Sequence, residues 1–233
     1  MLNLFENEAG TLIMKEAAGT VRFSNCEDMA NALSHLGGTL LSVAALVLMV
    51  VFSSIRGDAR QIIGSSVFGT SLILLYLSST IAHWLPAGNN KDRFFVFDQA
   101  AIFILIAGTY TPLALIALRG PLGWVIFGIE WGLAIIGIIR LIQRTARFDD
   151  GVGLTDIVIY VLMGWLVVFI SGPVLRSVPL MGYLWIVFGG LFYTVGIIFF
   201  KFTKFRYHHL VWHLMVLGGS VSHFTAIFFY IIL

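Results

Sequence analysis

The sequence predicts an all-α integral membrane protein: a seven-transmembrane helix bundle with its N-terminus in the cytoplasm and its C-terminus outside. Three observations carry this. Hydrophobic residues make up 59% of the 233 positions and charged residues 11%, whereas about a quarter of a soluble domain is charged. Apolar stretches long enough to cross a bilayer, about 20 residues at 1.5 Å each, recur seven times. The basic residues between them fall mainly on one side.

The N-terminal segment, 1–27, carries Glu6, Glu8, Lys15, Glu16 and Arg22. It lacks the apolar run of a cleaved signal peptide, so it is expected to be retained, cytoplasmic and loosely ordered. The transmembrane domain is expected over 28–233, with spans near 32–53, 62–85, 95–117, 123–139, 155–173, 181–200 and 208–232. The breaks between spans are short and polar, as connections between antiparallel neighbours should be, and no linker divides the chain into two domains.

Several spans carry an internal feature. The second ends in "SSTIAHW", and the third contains "AGTYTP", Ala107 to Pro112. Pro112 frees the carbonyl of Gly108, with the hydroxyls of Thr109, Tyr110 and Thr111 nearby to satisfy the backbone, so a kink is expected there. The fourth span carries Glu130 at mid-bilayer depth. It reads either as a functional group or as a neutral carboxyl packed between helices. Asp156 belongs to the inner end of the fifth span, and the seventh begins with "YHHLVWHL".

Orientation follows from lysine and arginine. Lys15, Arg22, Lys91, Arg93, Arg140, Arg144, Arg147, Lys201, Lys204 and Arg206 lie on the N-terminal side, and Arg56, Arg60, Arg119 and Arg176 on the other. Ten against four puts the N-terminal side in the cytoplasm. Trp84 and Trp212 at inner ends, and Trp124 and Trp185 at outer ones, agree with interfacial anchoring. A net charge of +2 is too mild for a nucleic-acid partner. Cys26, the single cysteine, excludes an internal disulfide.

His209 and His213 are four residues apart, so they share one helix face and direct their imidazoles at one point. The second span ends, and the third and seventh begin, on the same side of the membrane. His83, Asp98, His209 and His213 therefore lie at one depth. Three imidazoles with one open position make the ligand set of a catalytic zinc, which activates water and polarises a carbonyl. Asp98 reads either as a fourth ligand or as a general base toward the bound water. Ser79, one turn deeper than His83 on the same face, is placed to orient a carbonyl or steady an oxyanion. His208 points off the His209 face, His35 lacks a spaced partner, and His223 lies about 21 Å farther along the helix.

The motifs "SSTIAH", "FDQAAIFILIAGTYTP" and "HHLVWHLMVLGGSVSHF", with "ANALSHLGG" in the first span, resemble the hemolysin III family, the bacterial branch of the progestin and adipoQ receptors. The likeness covers roughly Glu27 to Leu233. It implies seven helices with a cytoplasmic N-terminus, a multi-pass protein of the bacterial inner membrane, and zinc held by His83, His209 and His213. It also implies that Asp98 contacts the zinc-bound water and that Ser79 lines the site. Ceramidase-like activity among the eukaryotic relatives suggests a membrane lipid as substrate, cleaved at an amide.

Two function classes follow. One is a zinc-dependent intramembrane hydrolase in which Asp98 deprotonates the bound water and Ser79 steadies the oxyanion. The other is a receptor, membrane-homeostasis or hemolysin-like protein in which zinc only ties helices together. A retinal protein is excluded because the last span has no Schiff-base lysine. Haem is disfavoured because His209 and His213 share one face and cannot flank an iron.

Overall fold

In the computed structural model, residues 4–6, 12–14, 23–146, 152–201 and 205–233 are described. Glu8, Lys15, Glu16, Arg22, Arg147 and Lys204, which enter the charge reading, lie outside them. Within the N-terminal segment, where composition predicts loose order, strands β1 (Leu4–Glu6) and β2 (Leu12–Met14) pair antiparallel with Leu4 opposite Met14.

The rest is helical: α1 (Asn25–Arg56), α2 (Ala59–Trp84), α3 (Asn89–Pro112), α4 (Gly120–Thr145), α5 (Leu154–Gly164), α6 (Leu166–Phe169), α7 (Ser171–Ser177), α8 (Leu180–Lys201) and α9 (His208–Ile227). Among the described residues six helices are long and apolar enough to cross a membrane, and α5 to α7 make a seventh span only as a broken one, bent by 59°. The chain is thus an all-α multi-pass membrane protein. Its lipid-facing surface shows in exposed aliphatics such as Leu40, Leu41, Ile135, Ile136 and Ile198, side chains that hydrocarbon solvates at no cost.

Local chemistry sets the helix starts. Ser24 and Glu27 form a reciprocal capping box on α1, and Asp58 and Gln61 form one on α2; each satisfies amides that a helix start leaves open. Tyr207, before α9, takes the left-handed conformation at φ 63°. Its amide donates to Oε1 of Glu27 at 3.0 Å, so α1 also anchors the start of α9.

Around Pro112 the three hydroxyls do not turn to the carbonyl of Gly108 as expected. Thr109 and Thr111 donate to the carbonyls of Leu105 and Ala107, four residues back in each case, and Tyr110 reaches Gly164 on the fifth span. Directly after Pro112 the helix widens into a π-helical run, Leu113–Leu118, the kind of local rearrangement that accompanies a missing amide. The main core packs Met49, Phe68, Leu72, Leu75 and Tyr76 with Val216, Ile227 and Phe228, so α1, α2 and α9 hold one another firmly. That is where the site lies.

Candidate metal centre

The end of the bundle where α1, α3 and α9 begin and α2 ends gathers the polar side chains. His83 stands in the last turn of α2; His209 and His213 stand one turn apart in α9. All three are buried, and one ligand nitrogen from each lies within 4.8 Å of the other two. Ring centroids are 5.0 Å apart for His83 and His209, 5.0 Å for His83 and His213, and 4.6 Å for His209 and His213. Around a tetrahedral ion with bonds of about 2.0–2.1 Å, ligand nitrogens stand roughly 3.4 Å apart. Small ring rotations close that difference.

Hydrogen bonds fix two of the tautomers. Nδ1 of His83 lies 2.9 Å from Oδ1 of Asp28, a carboxylate and hence an acceptor. Nδ1 of His213 faces the main-chain carbonyl of Asn31 at 3.2 Å, with Oγ of Ser34 at 3.1 Å. A carbonyl only accepts, so the proton sits on Nδ1 in both rings and Nε2 keeps its lone pair. For His83 that Nε2 is buried with no hydrogen-bond partner among the described residues. An orphaned nitrogen of this kind, facing two further imidazoles, fits a metal ion, and the triad is able to hold one.

The supporting shell comes mostly from α1. Lys91 donates to Oδ2 of Asp28 at 2.8 Å and to the carbonyls of His83 and Leu85 at 3.4 and 3.1 Å. It therefore caps the end of α2 while holding Asp28 in place. His35 stacks on His213 with centroids 3.5 Å apart and meets Tyr76 edge-on. Phe23 lies against His209, with centroids 4.7 Å apart.

Ser79 is fully buried, and its hydroxyl has no hydrogen-bond partner among the described residues. It stands one turn from His83 on α2 and interacts with the carboxyl of Asp98 on α3 without reaching hydrogen-bond geometry. Asp98 itself lies outside the group of ligand atoms within 4.8 Å. His208 turns to the carbonyl of Phe199 on α8, and His223 to that of Ile186. Neither joins the triad.

Asp28, Lys91, Asn31, Ser34 and His35 are missing from the sequence-based site. A signal exists for part of the set, because Asp28, Asn31 and His35 recur at i, i+3 and i+7 on an otherwise apolar helix.

The fold and the site together define a multi-pass membrane protein with a buried histidine triad able to hold a metal ion. The family model described as Haemolysin-III related matches residues 23–224, and the chain belongs to that family. It is similar to Hemolysin-3 of Bacillus cereus, 41% identical over 206 residues that cover 88% of this chain and 92% of that protein. It is 40% identical to the Hemolysin-3 homolog of Bacillus subtilis (strain 168) over 208 residues, 89% of this chain and 96% of that one. A more distant similarity, 25% over 211 residues covering 88% of this chain and 84% of the relative, is to the human monocyte to macrophage differentiation factor.

Proposed function

We propose that the chain is a zinc-dependent hydrolase of a membrane-lipid amide, acting near the cytoplasmic face of a bacterial inner membrane. One observation carries this reading: His83 and His213 are locked by acceptors on Nδ1, leaving Nε2 free beside His209. Bound there with an open fourth position, zinc would supply a water of lowered pKa and polarise a carbonyl.

The chain's own residues supply the remainder. Asp28 and Asn31 orient two of the imidazoles, and burial keeps bulk water from the triad. Asp98, beside Ser79, would take a proton from water and return it to the departing amine. The unpartnered hydroxyl of Ser79 donates to the substrate carbonyl as negative charge develops on its oxygen. The ten-to-four distribution of basic residues supports a cytoplasmic site.

A second reading makes zinc a tie between helices. It is favoured by the reach of α1, whose Glu27, Asp28 and Asn31 already grip α9 and α2. Both readings meet one experiment: fatty-acid release from a ceramide by the purified protein in lipid nanodiscs, with and without chelator, beside His209→Ala. Turnover abolished by either treatment supports the hydrolase. Turnover that survives both overturns it, and bound zinc without turnover supports the tie.

A further inference from the structure

A second buried acidic site lies elsewhere in the bundle and shares no residue with the histidine cluster. Glu130 stands ten residues into α4, about 15 Å along its axis and so deep in the bilayer. Its side chain is 0% exposed, and neither carboxyl oxygen has a hydrogen-bond partner among the described residues.

Its neighbours along α4 show where it points. Ile126, one turn before it, packs with Tyr110 and Val167. Ala134, one turn after it, packs with Ala107 and Met163. The carboxyl therefore faces α3 and the fifth span at the level where α5 ends at Gly164 and α6 begins at Leu166. Tyr110 bridges that interruption: its hydroxyl donates to the carbonyl of Gly164 at 3.0 Å and accepts the amide of Val167 at 2.7 Å. Tyr110 is also close enough to interact electrostatically with Glu130.

No cation from the described residues answers this carboxyl. On the fifth span, Asp156 is paired with Arg144 at 2.7 Å, and the hydroxyl of Tyr160 donates to the carbonyl of Gln99. An ionised carboxylate without a partner in hydrocarbon costs several kcal/mol or more. Glu130 therefore needs a positive partner small enough to enter the bundle. An interrupted helix at the same depth is where main-chain oxygens turn to meet one. Tyr110, Gly164 and Trp165 also line the apolar cavity between α3, α5, α8 and α9, whose lining does not include Glu130 itself.

We propose that Glu130 is the acidic ligand of an exchangeable intramembrane site for a small cation, a proton or an alkali ion, at the interruption of the fifth span. A carboxyl that merely packs between helices would not exchange, and the two cases separate experimentally.

The full-length protein in nanodiscs is treated with dicyclohexylcarbodiimide, which attacks carboxyls in apolar surroundings, and modification of Glu130 is followed by peptide mass spectrometry. The expected result is labelling that falls roughly tenfold or more from mildly acidic to alkaline pH as the carboxyl gives up its proton. Protection by sodium but not by choline identifies an alkali ion; equal labelling in both salts identifies the proton. Amide exchange of residues 160–175 supplies a second readout. Protection, taken relative to the intrinsic exchange rate at each pH, should change with pH or sodium in the wild type and lose that dependence in Glu130→Gln, with folding of the variant checked by its thermal midpoint. Labelling that is absent, or insensitive to both pH and salt, overturns the proposal. So does amide exchange identical in wild type and variant at every condition.

Discussion

Oδ1 of Asp28 sits 2.9 Å from Nδ1 of His83, while Lys91 grips Oδ2 of the same carboxylate at 2.8 Å. A single carboxylate on α1 thus sets the tautomer of His83 on α2 and is itself held by Lys91 in the first turn of α3. Partners of this kind make a ligand more basic and fix its orientation, and their loss typically lowers metal affinity 10- to 100-fold.

Asp28→Ala should therefore bind zinc about 10- to 100-fold more weakly. Asp28→Asn should suffer less, because its amide oxygen still accepts from Nδ1. Competition against chelators of graded affinity measures this. Unchanged affinity in Asp28→Ala would sink the assigned role.

The triad itself predicts a stoichiometry. Wild-type protein should carry about one zinc per chain, and His83→Ala, His209→Ala and His213→Ala each close to none, since two imidazoles make a poor site. Elemental analysis after gel filtration reads this directly, and a variant that keeps full zinc removes its residue from the ligand set. His208→Ala is the matched control, because His208 engages the carbonyl of Phe199 instead.

Ser79 separates chemistry from stability. Its hydroxyl makes no hydrogen bond among the described residues beyond its weak interaction with Asp98, so Ser79→Ala gives up little and should leave the thermal midpoint and zinc content nearly unchanged. If the hydroxyl serves a developing oxyanion, turnover should fall by about 10²- to 10³-fold. Normal turnover in the variant would leave Ser79 a packing residue.

Much of this was legible in the sequence, for reasons that particular residues make plain. Spans are announced by length and apolarity, and the spacing of His209 and His213 is fixed by the helix period. The depth of His83 followed from counting spans. The break at Trp165 was not readable, because "MGWLVVF" is as apolar as a continuous helix and the interruption is stitched by Tyr110 from another span. Asp28 and Lys91 were missed because they lie in short polar stretches that hydropathy assigns to the interface. Only the packing of α1 on α2 shows that they face inward. Pro112 marked a distortion, but a π-helical run and a kink share the same sequence signature.

The connection between α1 and α2 gives a pH dependence. Asp58 accepts the amides of Gln61 and Arg60, with Arg119 at 3.5 Å. The amide of Gln61 foremost holds its carboxyl below the usual range. A depressed folded-state value stabilises above the unfolded value and is lost as pH falls through the folded one. The start of α2 should therefore loosen only in acid below the ordinary aspartate range, and Asp58→Asn should be insensitive there. Amide exchange at residues 59–63, compared between the two proteins as pH is lowered, tests this; parallel behaviour would refute it.

The approach of α4 to the π-helical run offers a mechanical prediction. Gly123 lies against the main-chain oxygen of Ala114, so a Cβ there would overlap backbone rather than a side chain able to rotate away. Gly128, five residues on in the same helix, has no atom within 4 Å of the corresponding position. Both replacements raise helix propensity alike, so their difference isolates the contact. Gly123→Ala should destabilise by about 1–3 kcal/mol, the usual range for overpacking, whereas Gly128→Ala should be neutral or slightly stabilising. Thermal unfolding of the two variants in one detergent reads the difference, and coincident midpoints would mean that α4 does not depend on the widened turn after Pro112 for its seat.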